Sequence, residues 1–187
     1  MPNAIEVLRA DHERLRQLLP MLADEAIASD KRRELLDEVE QAIKIHSLIE
    51  EEIFYPVYKE AANSKDAVDM YFESLEEHHV VDMLLPELKP LDASSDAFRA
   101  KAKVLRELFE HHAKEEEEDM FRKAAEMISA ATMQEIGDRM QRRKIELDRQ
   151  WDSTIGGALR KAQSVADKFL PSSVKDNRVE RHRDEER

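Results

Sequence analysis

The chain has 187 residues and a formal charge of −12; 39% of its residues are charged, 5% are aromatic, three are glycine and none is cysteine. The absence of cysteine excludes disulfides, iron–sulfur clusters and thiolate metal sites, so any metal must be held by nitrogen and oxygen. The acidic balance argues against nucleic acid as a partner, no apolar run approaches the ~20 residues of a membrane span, and no secretory signal is visible, so the expectation is a cytoplasmic protein built from amphipathic helices.

Five helical segments are predicted. The first runs from about Asn3, a candidate N-cap, to Ile27, with Ile5, Leu8, Leu15, Leu19 and Leu22 on one face and a turn at Ser29-Asp30. The second carries Leu36, Val39, Ile43, Ile53 and Val57 and runs to about Ala62, where Asn63-Ser64 breaks it. The third carries Tyr71, Leu75, Val81, Leu85 and Leu88 and ends at Pro90 and the polar stretch Asp92 to Asp96. The fourth carries Phe98, Ala102, Leu105 and Phe109 and continues to about Ala130. Pro20, Pro56 and Pro86 fall inside helical patterns and are expected to bend them. A fifth helix is expected from Met133 to about Leu170, with Ile136, Met140, Leu147, Trp151, Ile155, Leu159 and Phe169 on its apolar face, a weak point at Gly156-Gly157 and a solvated cluster Arg142-Arg143-Lys144. The chain is thus expected to divide into a four-helix bundle over residues 1–130, a helix over 131–170 that packs on the bundle or on a partner, and a disordered charged tail over 171–187. A monomer and a homodimer are both compatible with this pattern.

The first four segments contain a repeat. His12, His46 and Glu50 recur as His78, His112 and Glu116, each 66 residues on; Pro20 recurs as Pro86, and Tyr55 as the aromatic Phe121. In an antiparallel helix pair, residues equidistant from the turn lie at one height. The midpoint of His12 and His46 is Ser29, that of His78 and His112 is Ser95, and that of His46 and His78 lies beside Asn63-Ser64. All three fall in predicted turns, which puts the four histidines on one level of an up-down-up-down bundle. They also fall on core stripes: His12 lies between Leu8 and Leu15, His46 and Glu50 continue Leu36, Val39 and Ile43, and His112 and Glu116 continue Leu105 and Phe109. A four-residue helical step turns ~400°, so each Glu stands one turn from its His on nearly the same face. Polar groups on a core stripe are costly unless something satisfies them. His12, His46, Glu50, His78, His112 and Glu116 are therefore the candidate ligands of a two-metal site. His79 and His111 are assigned to supporting or surface positions, and the acidic runs around Glu50 and Glu116 are expected to be otherwise solvated. Tyr55 and Tyr58 are expected to pack in the core, with hydrogen-bond or proton donation to the site as the alternative.

Nitrogen and oxygen ligands with open positions suit iron or manganese; zinc is a weaker fit, and calcium is discounted. The order His, His-x-x-x-Glu, His, His-x-x-x-Glu over about residues 1–130, with Phe-Tyr and Met-Phe following the two pairs, resembles the hemerythrin-like HHE cation-binding family. The resemblance implies a left-handed four-helix bundle with a non-heme di-iron centre (Fe2+/Fe3+), carboxylate- and oxo- or hydroxo-bridged, with Glu50 and Glu116 as the carboxylate bridges. The oxygen carriers of that family have a His-x-x-x-His pair on the third helix and His-x-x-x-x-Asp on the fourth. Here Asp82 and Ser74 flank His78 at four residues, and the fourth helix offers His112-x-x-x-Glu116. Members with this symmetric set are associated with iron or oxygen sensing, peroxide breakdown and nitric oxide response. The functions carried forward are a di-iron protein that senses, stores or carries iron, dioxygen or nitric oxide; a di-iron enzyme that decomposes hydrogen peroxide; and a helical interaction module using the fifth helix.

Overall fold

A computed structural model describes residues 2–169, with side-chain surroundings for residues 2–153. The tail at 171–187 and the side chains of Ile155, Leu159 and Phe169 lie outside these bounds. The elements are α1 (Ala4–Ala23), α2 (Ser29–Ile49), a π-turn π1 (Glu50–Phe54), α3 (Tyr55–Ala61), α4 (Lys65–Leu88), α5 (Asp96–Glu115), a second π-turn π2 (Glu116–Met120), α6 (Phe121–Met127) and α7 (Ala130–Phe169). No helix among the described residues is long and apolar enough to cross a membrane.

Caps set the helix starts. Asn3 Oδ1 accepts from the Glu6 N–H at 3.1 Å, and the Glu6 carboxylate accepts from the Asn3 N–H at 2.8 Å, a reciprocal capping box. Ser64 and Ser95 cap α4 and α5 by accepting from the N–H groups of Ala67 and Phe98 at 3.2 and 3.1 Å. The first helix stops at Ala23, short of the expected Ile27, because Asp24 takes over the backbone: its carboxylate accepts from the Ala26 N–H at 2.9 Å. The first turn is therefore residues 24–28, and Ser29 opens α2.

The second and fourth segments, expected as unbroken helices, each contain a π-turn. The Tyr55 N–H bonds to the Glu50 carbonyl and the Phe121 N–H to the Glu116 carbonyl, five residues back. Pro56 follows the first π-turn, but Arg122 holds the matching position after the second, so proline is not the common cause. The shared feature is a buried acid at the head and a buried ring just past the end. Five residues of α-helix rotate the chain ~140° off its starting face. The wider π-turn returns Glu50 and Tyr55, and Glu116 and Phe121, to the core side together, and all four are buried.

α1 packs against α2 and α5, and α4 packs against α5 and α3, so the rods close an antiparallel four-helix bundle. Its core has two apolar clusters, one around Leu15, Leu19, Leu36, Phe98 and Leu105, the other around Leu8, Ile49, Phe54, Tyr55 and Phe121. The histidine level lies between them: His12 is flanked by Leu8 and Leu15, which belong to different clusters.

One compact unit spans Met1–Asp148 and takes in the first part of α7; a second spans Arg149–Arg187. Within the first unit Met133, Ile136, Met140 and Leu147 bury α7 against the second apolar cluster. Arg143, expected in a solvated cluster, grips Glu52 with two bonds of 2.7 and 3.0 Å, and Lys144 pairs with Asp11; Arg142 is exposed. Gly137 lets α7 touch the start of α1: a Cβ there would meet the Pro2 carbonyl oxygen at 2.5 Å and the Asn3 carbonyl carbon at 2.6 Å. Because both are backbone atoms, Gly137→Val should cost at least about 2 kcal/mol through overpacking. Thermal unfolding should show a lowered Tm for this variant, and an unchanged Tm would mean that α7 does not pack here.

Candidate metal centre

Each of the four long rods supplies one histidine: His12 from α1, His46 from α2, His78 from α4 and His112 from α5. The heads of the two π-turns supply Glu50 and Glu116. All six side chains are buried and meet at the level expected from the turns. His12 Nε2 lies 3.2 Å from Glu116 Oε2, while His46 Nε2 and His78 Nε2 each lie 3.3 Å from Glu50 Oε2. His112 Nε2 lies 3.7 Å from Glu116 Oε2, 4.0 Å from Glu50 Oε2 and 3.3 Å from His78 Nε2. The ligand-type atoms fall into two groups sharing Glu50: His12, His46, Glu50 and Glu116, and Glu50, His78 and His112.

The outer nitrogens follow a second pattern. Every Nδ1 faces a carboxylate: Glu117 for His12 at 2.8 Å, Asp11 for His46 at 3.8 Å, Glu51 for His78 at 2.7 Å and Glu77 for His112 at 2.8 Å. Three of these are hydrogen bonds and the His46–Asp11 approach is a longer ion-pair contact; in all four rings Nε2 is the nitrogen turned to the centre. This is how metal-ligating imidazoles are oriented and made more basic. The four acids obey the repeat as well, since Asp11 and Glu77, and Glu51 and Glu117, stand 66 residues apart. Sequence reasoning left Glu51 and Glu117 in solvated runs. The signal is an acid directly before the first histidine of each copy, Asp11 and Glu77, and directly after each repeat glutamate, Glu51 and Glu117.

His79 is exposed. His111 lies at the surface with its Nε2 3.6 Å from Glu77 and 3.4 Å from Glu115. Ser74 donates to the Met70 carbonyl and Asp82 pairs with Lys44, so neither residue four positions from His78 enters the centre. Tyr55 combines the two roles weighed for it. Its buried ring stacks on His78 at 5.7 Å, and its hydroxyl donates to Glu116 Oε1 at 2.9 Å. Phe121 stacks on His12 at 5.9 Å in the matching place but has no hydroxyl to offer Glu50. Tyr58 packs in the core with its hydroxyl 3.7 Å from Met70 Sδ.

The interior polar atoms are short of partners. His12 Nε2, His46 Nε2, both Glu50 oxygens and Glu116 Oε2 are buried without a hydrogen bond. Each unpaired buried group costs roughly 1–3 kcal/mol, more when charged. A cation between the imidazoles and the carboxylates satisfies all of them at once, so the donor set fits a metal. Burial also sets the protonation. It lowers the His46 imidazole to about 4, against the pull of Asp11. Burial and the facing Glu116 raise the Glu50 carboxyl well above its usual range. Burial opposes ionisation of Glu116, but His112, His12 and His46 together hold its carboxyl below the usual value. The Tyr55 phenol is driven up by burial and by Glu116 and Glu50, so it keeps its proton. A pocket lined by Ile43, Ser47, Val81 and Phe109 reaches His46, His78 and His112 between α2, α4 and α5.

The family model for the hemerythrin HHE cation binding domain matches residues 3–124. An uncharacterized protein of Mycobacterium tuberculosis, Rv2633c, is 29% identical over 139 residues, 74% of this chain and 83% of that protein. A DNA nickase of Nostoc is 24% identical over 64% of this chain but only 32% of its own length. The crystal structure of a hemerythrin HHE cation binding domain-containing protein from Mycobacterium kansasii, a homologue of Rv2633c, superposes with a TM-score of 0.69 at 28% identity, covering 86% of this chain and 93% of that one.

The His46 shift has a pH consequence for the metal-free protein. An imidazole lowered from 6.5 to about 4 on folding binds fewer protons folded than unfolded between those values, so its contribution is present above pH 6.5 and lost as pH falls toward 4. The loss is about 3 kcal/mol from that 2.5-unit difference. Denaturant unfolding at several pH values should show metal-free wild-type protein losing this much relative to His46→Gln, and parallel curves would refute the assignment.

Proposed function

We propose that this chain, which belongs to the hemerythrin HHE cation-binding domain family, holds two iron ions with His12, His46, Glu50, His78, His112 and Glu116 and uses them to bind or sense a small oxygen- or nitrogen-containing ligand: dioxygen, nitric oxide or peroxide. The observation that carries this reading is the set of buried, unpartnered imidazole and carboxylate atoms at the centre of the bundle. Imidazole and carboxylate without thiolate favour iron or manganese over softer metals. His12 and His46 would hold one ion and His78 and His112 the other, with Glu50 within reach of both.

When bound, the ions supply open coordination positions and an exchangeable electron. The protein's own residues do the rest. Glu51, Glu77 and Glu117 fix which imidazole nitrogen of His78, His112 and His12 faces inward, and Asp11 places a negative charge behind His46. Tyr55 orients Glu116 and holds a proton at that carboxylate's Oε1. Ile43, Val81 and Phe109 give the pocket an apolar wall that suits a small uncharged ligand approaching His46, His78 and His112.

A second reading, decomposition of hydrogen peroxide to water and dioxygen, is favoured by Tyr55. A phenol that keeps its proton beside a buried carboxylate could pass that proton to a reduced oxygen atom.

Metal analysis of purified protein should find about two iron per chain, lost in a Glu50→Ala, Glu116→Ala double variant. Iron-free protein with unaltered behaviour in the double variant would leave the bundle as a scaffold. Dioxygen evolved from added peroxide, and abolished by His46→Ala or His112→Ala, would select the enzyme. A reversible absorption change with dioxygen or nitric oxide and no turnover would select the sensor or carrier.

A further inference from the structure

The repeat that builds the centre and its four supporting acids does not extend to the cations around them. Glu117, which holds Nδ1 of His12, also accepts Arg16 Nη1 at 2.8 Å and lies 3.5 Å from Arg9 Nη1. Asp11, which faces Nδ1 of His46, is paired with Lys144 from α7. On the other side Glu51 and Glu77 hold Nδ1 of His78 and His112, and among the described residues no lysine or arginine pairs with either. The carboxylates of the first position are thus paired with lysine or arginine, and those of the second are not, Glu77 having only the exposed His111 at 3.6 Å beside its ligand histidine.

The difference is written in the repeat. The position matching Arg16 is Asp82, which pairs with Lys44 at 2.5 Å. The position matching Lys44 is Glu110, which pairs with Arg16 at 3.3 Å. The two ion pairs are thus images of one another under the repeat with their charges exchanged, each joining the first copy to the second, and of the two cations only Arg16 reaches on to a carboxylate that holds a ligand. Lys144 comes from α7, which has no counterpart in the repeat.

We propose that the two cation positions are unequal, that the His78–His112 position takes the first cation, and that Arg16 and Lys144 set this order. The proposal rests on the two-cation reading above. A carboxylate free of other cations donates more strongly through its imidazole, and it leaves a more negative field at a buried point where salt screens little. A carboxylate shared with a guanidinium or an ammonium does both less. Ligand number works the other way, because His12, His46, Glu50 and Glu116 form the fuller group. That advantage is small, since Glu116 Oε2 lies 3.2 Å from His12 and 3.7 Å from His112 and can serve either side. The uncompensated carboxylates then decide the order. The pocket reaches both histidines of this position, His78 and His112, and one of the other, His46, so a ligand can approach the position filled first.

Titration of metal-free full-length protein with Mn2+, followed by calorimetry and electron paramagnetic resonance, tests the order. Wild-type protein should bind two Mn2+ in two phases whose dissociation constants differ by about tenfold or more. His78→Ala should abolish the tight phase, and His12→Ala the weak one. The Arg16→Gln, Lys144→Gln variant should strengthen the weak phase by about fivefold or more and leave the tight phase nearly unchanged, while the charge-preserving Arg16→Lys, Lys144→Arg variant keeps the native ratio. Circular dichroism establishes that each variant is folded, and if the neutral double variant is not, Arg16→Gln alone is read in the same way. Two equal phases, the reverse assignment from the histidine variants, or an unchanged ratio in the neutral variant would overturn the proposal. Binding of fewer than two Mn2+ would overturn the two-cation reading with it, whereas two Mn2+ in the wrong order would leave that reading standing.

Discussion

The structure turns on four imidazoles held from behind. Each presents Nδ1 to an acid and Nε2 to a common interior point, and the rings come from four different rods. An imidazole buried alone needs one partner. Four aimed at each other across two buried carboxylates leave a cluster of unpartnered donor-type atoms that a cation pairs at once. Apolar clusters lie above and below the histidine level and bury it. A low-polarity surrounding makes unpaired groups costly and strengthens any ion–ligand attraction. The folding of the bundle and the retention of a cation are therefore two aspects of one arrangement.

The π-turns bring the acids into that arrangement. In a regular helix Glu50 and Tyr55 would face different sides; the wider turn lets both enter the core, and the same device recurs at Glu116 and Phe121. The copies then diverge. Tyr55 places a hydroxyl on Glu116, while Phe121 leaves Glu50 without one. Arg16 and Lys144 balance the acids on the His12–His46 side, and the pocket touches both histidines of the other side but only His46 of this one. A two-fold repeat thus ends in a centre with two distinguishable halves.

Much of this was legible in the sequence because it depends on spacing. The 66-residue repeat, the core stripes and the turn midpoints gave the bundle and the level of the histidines without any contact information. Helix ends were less legible. Asp24 stops α1 through a side-chain bond to Ala26, which competes locally with helix and leaves no mark on the apolar pattern. The π-turns were invisible because a single extra residue shifts the phase only over a few positions, and Pro56 offered a more familiar explanation at one of the two sites. Glu51, Glu117, Asp11 and Glu77 went unread because charged runs usually face solvent, although their spacing carried the same repeat as the ligands. Arg143 and Lys144 were read as a solvated cluster for the same reason. Their partners Glu52 and Asp11 are distant in sequence, and only the docking of α7 brings them near.

Crystals grown from iron-loaded protein, with anomalous scattering recorded at the iron edge, test the central claim most directly. The account predicts two separate peaks inside the bundle, one against the Nε2 atoms of His12 and His46 and one against those of His78 and His112, with Glu50 lying between them. A single peak, none, or peaks confined to the exposed group of Glu77, His111 and Glu115 would contradict it.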